Sequence, residues 1–513
     1  MPTSQPPDHD AARAATTPVT GLNALVAQAR IDAQARAKDA LAQHVRMLAG
    51  LTERFTGAGF ELALVGGPVR DALLGRASTD GGHLAVSDLD LTTDATPDQT
   101  LELVRGWADT HWEIGRAFGT IGAARQGLVV EITTYRSDTY ADASRKPQVV
   151  LGSDLPTDLS RRDFTVNAMA LRLPGLELLD PFDGLMDLAF GVLRTPIDPS
   201  VSFGDDPLRM MRAARFVAQL GFTIDDAALA AMRQMSDRIG IVSAERVQQE
   251  LRKLIAGAHP RAGLQVLVDS GLAGVMLPEL PALKLEVDEH HRHKDVYEHT
   301  LTVLDQAIDL ETGPDGPVPG PDFVLRFAAV MHDIGKPATR RFEPGGGVSF
   351  HHHEVVGAKM TARRMRALKF DKDTTKQVAR LVELHLRFHG YSDQAWTDSA
   401  VRRYVTDAGP LLERLHRLTR ADCTTRNRRK AARLRAAYDD LEDRIAQLRE
   451  SEELARIRPD LDGTQIMRIL DTPPGPAVGK AYRFLLNLRL EEGPLGPQAA
   501  ERALREWAAE HLD

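Results

Sequence analysis

Apolar residues follow two patterns along the chain. From Glu61 they form short runs rich in β-branched residues, LALVGG, DLDLTT, GTIGAA and LVVEITTY, separated by turn signals, which predicts a small sheet ending near Asp198. Between some of these runs the spacing is helical, so helices are interleaved. Upstream, residues 21–58 read as an Ala-rich helix, and residues 1 to about 20, rich in Pro, Thr, Asp and Ala without periodicity, read as a disordered tail. The stretch FGDDPLRMMRAARFVAQLGF opens a helical region in which Pro207 falls in a first turn, where its missing N–H costs nothing, and helix with short loops continues to about residue 285. A Pro/Gly-rich linker, Glu311 to Asp322, lies inside a second helical region, and from about residue 425 the chain is charged helix broken at TPPGPAVG. The expected class is α+β, an α/β head followed by a mostly helical neck and body.

At 513 residues several cores are expected. The expected division is 1–58, tail and N-terminal helix; 59–198, the head; 199–285, a helical neck; 286–424, a histidine-dense domain; and 425–513, a helical C-terminal region. Cys423 is the only cysteine, which rules out an internal disulfide and a cysteine zinc cage and fits a reducing compartment. Neither a membrane-length apolar stretch nor a signal-peptide segment is visible, so a cytoplasmic protein without membrane contact is expected. A net charge of −8 argues against a uniformly basic nucleic-acid coat but not against a local basic stripe that carries RNA; the basic run Arg426 to Arg435 is such a stripe, though taken alone it reads as a solvated helix face.

Asp88 and Asp90, two apart on a strand, project onto one face. Like charges that close need a counter-ion, and Mg²⁺ carried in with nucleotide phosphates suits oxygen ligands. Glu131, flanked by apolar strand residues, can add a third carboxylate. Gly66 and Gly67 end a strand ahead of a helix, where bare backbone N–H groups can approach a phosphate, although neither GxxxxGK[ST] nor GxGxxG is present. DLDLT also matches the DxDxT nucleophile motif of haloacid-dehalogenase-type phosphatases, but that fold needs further βα units where this chain turns helical.

LVGGPVRD, DLDLTTDA, DLSRRDFTVNAMAL, DDPLRMMRAARF and SAERVQQELRKL, in this order over roughly residues 60 to 285, resemble the class II tRNA nucleotidyltransferase and bacterial poly(A) polymerase family. The resemblance implies a polymerase β-like head that adds C and A to tRNA 3′ ends from CTP and ATP, with Asp88 and Asp90 holding the metal ions. It implies that Gly66, Gly67 and Arg70 bind the triphosphate and that Arg162, Asp163 and Asn167 contact sugar and phosphates. Arg212 and Arg215 match arginines that reach the nucleotide, and Arg246, Glu250 and Lys253 match a motif that braces the neck. Asp206 and Arg209, three apart, are expected to share a helix face. A carboxylate accepting from an amino group beside a guanidinium donating to a ring acceptor fits cytosine and adenine and refuses uracil and guanine. A poly(A) polymerase of the same family is the alternative. The segment between Gly75 and Asp88 is longer than expected for compact members.

Seventeen histidines include many between residues 290 and 390. Adjacent His332 and Asp333 on a helix can supply two ligands to a transition metal, whereas HEVVG lacks the second histidine of HExxH. The order His299, His332-Asp333, His353, His385, Asp422 resembles the HD phosphohydrolase superfamily. That resemblance implies one metal on His299, His332, Asp333 and Asp422, with His353 and His385 holding a second ion. The metal would be a divalent transition ion that activates water against a phosphate, and this activity could itself be the main one. His290, His291, His293, His351, His352 and His389 read as bystanders.

Overall fold

The structure, a computed structural model, describes residues 19–75, 88–139, 148–152, 154–284, 295–344, 348–391, 396–424, 427–452 and 458–512. The expected tail up to residue 18, the insert Arg76–Ser87 and His290, His291 and His293 lie outside the described residues. Two compact units form, one from residues 1–216 and 221–235, the other from 217–220 and 236–513.

The first unit begins with α1 (Val19–Gly57), whose Ala33, Ala37, Ala40, Leu41, Leu48, Leu51 and Phe55 are buried at helical spacing. Then come β1 (Ala63–Val65), α2 (Gly67–Leu73), β2 (Asp88–Thr93), α3 (Pro97–Arg105), β3 (Thr110–Trp112), β4 (Thr120–Arg125) and β5 (Leu128–Thr134). A separate ribbon, β6 (Arg136–Thr139) with β7 (Gln148–Leu151), precedes α4 (Leu155–Ser160), β8 (Ala170–Arg172) and β9 (Glu177–Leu179). The main sheet has the order β3-β4-β5-β2-β1-β8-β9, and only its β2–β5 pair is parallel. That pair sets Asp90 directly beside Glu131. One core group under the sheet comprises Ala63, Val65, Tyr135, Leu155, Leu159, Ala168 and Ala170.

After α5 (Gly184–Phe190) and β10 (Val192–Leu193), α6 (Pro199–Asp205) and α7 (Leu208–Leu220) follow one another with a break at Asp206. Asp206 is extended, at φ −139° and ψ 99°, because a residue preceding proline is pushed out of the helical region. Pro207 therefore precedes α7 instead of lying in its first turn. The strand content does not end at Asp198, since β11 (Thr223–Ile224) pairs in parallel with β10 before α8 (Asp226–Met235).

In the second unit, α9 (Ala244–Ile255), capped by Ser243, buries Glu250 and exposes Arg246 and Lys253. It leads through α10 (Pro260–Asp269) and α11 (Leu272–Met276) to α12 (Val296–Asp309), α13 (Phe323–Met331) and α14 (Lys336–Thr339). A hairpin, β12 (Arg341–Phe342) with β13 (Val348–Ser349), connects α14 to α15 (His353–Ala367). Next come α16 (Lys372–Leu384), α17 (Asp398–Ala408), α18 (Leu412–Ala421) and the long α19 (Arg428–Glu452). Three final helices, α20 (Gly463–Leu470), α21 (Pro476–Glu492) and α22 (Pro497–His511), pack round Leu461, Ile466, Leu485 and Leu504. No described helix is long and apolar enough to cross a membrane.

Candidate active site and metal centre

Asp88 and Asp90 alternate with buried Leu89 and Leu91 on β2, so both carboxylates leave the same exposed face. Glu131 joins them from the adjacent register position on β5. Asp90 is held above the ordinary carboxylate range by its recessed position, opposed by Arg162 and reinforced by Asp88. Glu131 is raised by desolvation and then by Asp90 and Asp88. Three carboxylates on one face, all of them oxygen donors, fit a hard divalent cation.

Gly66 stands against this cluster at φ 76° and ψ −143°, a conformation nearly reserved for glycine. A Cβ there would lie 3.2 Å from Asp90 Oδ2 and 3.5 Å from an Arg162 terminal nitrogen. The turn therefore brings backbone, carboxylate and guanidinium together, and Gly67 starts α2. Arg162 Nε is buried without a hydrogen-bond partner, while an Arg162 terminal nitrogen lies 3.6 Å from Asp158.

Asp163 ties the segment together. Its Oδ1 accepts from Phe164 N at 2.8 Å and Asn167 Nδ2 at 3.0 Å, and its Oδ2 accepts from Arg212 Nε at 2.7 Å. Burial opposes its charge, but Arg212, Asn167 and the backbone donor outweigh burial and bring the carboxyl down to about 2. Asn167 Oδ1 in turn accepts from Arg70 at 2.9 Å, and Arg70 also donates to Asp71. The guanidiniums of Arg70, Arg212 and Arg215 all lie over the Phe216 ring, at 5.2, 5.5 and 4.2 Å. Neither Phe216 nor Asp158 stands out in the sequence; the available signals are an aromatic closing RMMRAARF and an acid three and four residues before Arg161 and Arg162.

The expected shared helix face of Asp206 and Arg209 is not formed, because Asp206 is extended ahead of Pro207. Arg209 instead donates to the Ser202 carbonyl and hydroxyl, at 3.2 and 2.8 Å, and to the Arg161 carbonyl at 2.5 Å.

The second unit gathers His299, His332, Asp333, His353, His385 and Asp422. His332, His385 and Asp422 are the C-cap residues of α13, α16 and α18, where helix dipoles favour a cation. His332 and Asp333 thus sit at and beyond a helix end rather than inside one, since the helix stops at Met331. Each histidine cap donates Nδ1–H to a carbonyl three residues back, His332 to Ala329 at 2.8 Å and His385 to Val382 at 2.6 Å. His353 does the same to Phe350 at 2.8 Å. A carbonyl only accepts, so the proton is fixed on Nδ1 and the Nε2 lone pairs face inward.

Asp333 joins two groups. Its Oδ2 lies 3.2 Å from His332 Nε2 and 3.5 Å from His299 Nε2, while its Oδ1 lies 3.3 Å from His353 Nε2 and 4.0 Å from His385 Nε2. Asp422 Oδ1 is 3.0 Å from His299 Nε2. The two triads His299–His332–Asp333 and Asp333–His353–His385 each have ligand spacing. Nε2 of His353 and of His385 is buried without a hydrogen-bond partner, which fits a nitrogen that ligates a metal. Burial, then His332, pushes His385 down to about 3, leaving the neutral imidazole that binds metal. Lys336 donates to Asp333 Oδ2 at 2.6 Å, a group the sequence reading missed although it lies three residues on. His351 and His352 are exposed beside the centre.

Three family profiles match: a poly A polymerase head domain over residues 62–194, a probable RNA and SrmB-binding site of polymerase A over 221–283, and an HD domain over 296–448. An A-adding tRNA nucleotidyltransferase of Deinococcus radiodurans is 35% identical over 370 residues, 71% of this chain and 81% of that protein. A CCA-adding enzyme of Levilactobacillus brevis is 40% identical over 233 residues, 45% of this chain but only 55% of that enzyme. In fold, the chain is similar to the Bacillus stearothermophilus CCA-adding enzyme crystallised with CTP, with a TM-score of 0.62 and 21% identity over 91% of this chain and 98% of that one. The Thermotoga maritima CCA-adding enzyme with tRNA gives 0.56 at 17% identity, over 93% and 98%.

Proposed function

We propose, from the premise that this chain belongs to the tRNA nucleotidyltransferase family, that it rebuilds the C-C-A end of tRNA by untemplated transfer of nucleotides from CTP and ATP. The observation that carries the reading is the cleft in which Asp88, Asp90 and Glu131 share one face beside the Gly66 turn and Arg162.

Mg²⁺ held by Asp88 and Asp90, with Glu131 beside them, would neutralise the triphosphate and favour the ionised form of the RNA 3′-hydroxyl. Gly66 and Gly67 admit phosphate oxygens to bare backbone, and Arg162 offers an unspent buried Nε–H. Asp163 and Asn167 hold Arg212 and Arg70 in fixed directions, so that pyrophosphate departs against oriented guanidiniums. Arg215 belongs to the same wall through Phe216. Asp206 and Arg209 choose the base, the carboxylate accepting from the amino group that cytosine and adenine share; Arg209 must then exchange its Ser202 or Arg161 bonds for the base.

One observation favours a second reading, addition of the terminal A alone: the relative matched over 81% of its length is an A-adding enzyme. Incubating the full chain with tRNA transcripts that lack CCA or end in CC, with CTP and ATP singly and together, separates the two. CTP-dependent extension of the shorter transcript is expected; extension of the CC transcript alone, by one A, establishes the second reading. Long A tails without C would instead make the chain a poly(A) polymerase.

The histidine centre supplies a second activity, hydrolysis of a phosphate ester on a divalent transition metal held by His299, His332, Asp333, His353, His385 and Asp422. Its support is the pair of orphaned Nε2 atoms facing Asp333.

A further inference from the structure

The segment from Asp333 to His353 leaves the histidine centre and returns to it, since its two ends meet at 3.3 Å. Everything within the excursion is tethered to the rim of the centre. Lys336 bonds Asp333 and lies over the Phe350 ring at 5.8 Å, while the Phe350 carbonyl fixes His353. Between these two anchors stands the β12–β13 hairpin, with Phe342 paired to Val348. Phe342 is 73% exposed, among the most exposed large apolar side chains described, and Arg340 lies over its ring at 5.5 Å with Arg341 exposed beside it.

Arg341, next along the strand, faces the other way, and an aromatic ring left mostly in water under the Arg340 guanidinium gains little from burial. It is what single-stranded nucleic acid requires, a stacking platform with a cation for the backbone. The tether limits its reach: Val348 is five residues from His353, at most about 18 Å of chain, and Phe342 is one strand spacing of about 5 Å further. A chain of a few nucleotides spans even the full extent of that tether, so a base held on Phe342 keeps its own terminal phosphate within reach of the centre.

Resting on the reading of the histidine centre as a phosphohydrolase, we propose that the hairpin is its substrate platform, stacking a base of a single-stranded RNA end on Phe342 while Arg340, on the same face, meets the backbone, so that a terminal phosphate reaches the centre beside Lys336. The substrate class served by the platform is then an RNA end.

The test uses the full chain with Mn²⁺ or Ni²⁺ and two substrates, a tetraribonucleotide ending in a 3′-phosphate or 2′,3′-cyclic phosphate, and p-nitrophenyl phosphate. Phe342→Ala should raise KM for the tetranucleotide about tenfold and leave p-nitrophenyl phosphate turnover unchanged, with Phe342→Trp restoring KM. Equal loss on both substrates, or no change on either, overturns the proposal. If neither substrate is hydrolysed with any metal, the phosphohydrolase reading fails separately. Quenching of the added tryptophan in Phe342→Trp by the same tetranucleotide then still decides the platform: quench beyond that of the unaltered chain supports it, and none refutes it.

Discussion

In the head, three carboxylates stand on two neighbouring strands, on an exposed face into which Asp90 is recessed; in the second unit, four imidazoles and two carboxylates come from the ends and sides of five helices, largely buried. Both arrangements concentrate groups that need a cation, but their donor sets and access differ. The head offers oxygen only, which suits an exchangeable Mg²⁺ arriving with its nucleotide. The histidine centre offers nitrogen locked in one tautomer by last-turn carbonyls, which suits a resident transition metal. An open face has room for a polymer end and a triphosphate together, as the proposed transfer requires, whereas a pair of triads sharing Asp333 is more enclosed.

The most severe way to break this comparison is to remove one ligand set at a time. Asp88→Ala with Asp90→Ala should lower single-turnover nucleotide addition at least about a thousandfold and leave phosphate hydrolysis at the histidine centre within about twofold. His332→Ala with Asp333→Ala should do the reverse and should also strip transition metal from the purified protein, read by elemental analysis. Addition that persists without the two aspartates would sink the reading of the head.

Gly66→Ala perturbs the head without touching a ligand. The added methyl would sit 3.2 Å from Asp90 Oδ2, on a backbone that an L side chain adopts at a cost of about 1–3 kcal/mol. Nucleotide addition should fall about ten- to a hundredfold through kcat, with hydrolysis unaffected. An unchanged kcat would mean that the turn does not shape the cleft.

How far each region could be read from sequence follows from how its residues are brought together. Asp88 and Asp90 were legible because a strand repeats every two residues and β2 carries both. Glu131 needed only one further strand in register. The shared helix face of Asp206 and Arg209 is not formed because helical spacing does not carry across Pro207, and the residue before a proline is itself a warning. The histidine cluster gathers the residues its order implied, but the place of Asp333 between the two triads was not legible, since order does not say which oxygen faces which imidazole. Phe216 was invisible for a different reason. Its guanidinium partner Arg70 lies far back in the chain, and an aromatic in a helix otherwise signals only core.

The smallest expected effect concerns charge inside the head. Asp163 is buried and depressed to about 2 by Arg212, Asn167 and a backbone donor acting against its burial. A carboxyl lowered from about 3.8 on folding contributes stability that is present in full above the unfolded value and is lost as pH falls toward about 2. Asp163→Asn keeps the shape and removes the charge. It should cost about 2 kcal/mol at pH 7, with the deficit shrinking as the pH is taken from about 5 toward 3. Urea unfolding followed through Trp107 and Trp112, with Trp396 and Trp507 changed to phenylalanine, reports the head alone. A deficit that does not vary with pH would show that Asp163 acts through hydrogen-bond geometry and not through its charge. The arginine wall of the nucleotide cleft would then be held by shape, as the histidine caps are held by their carbonyls.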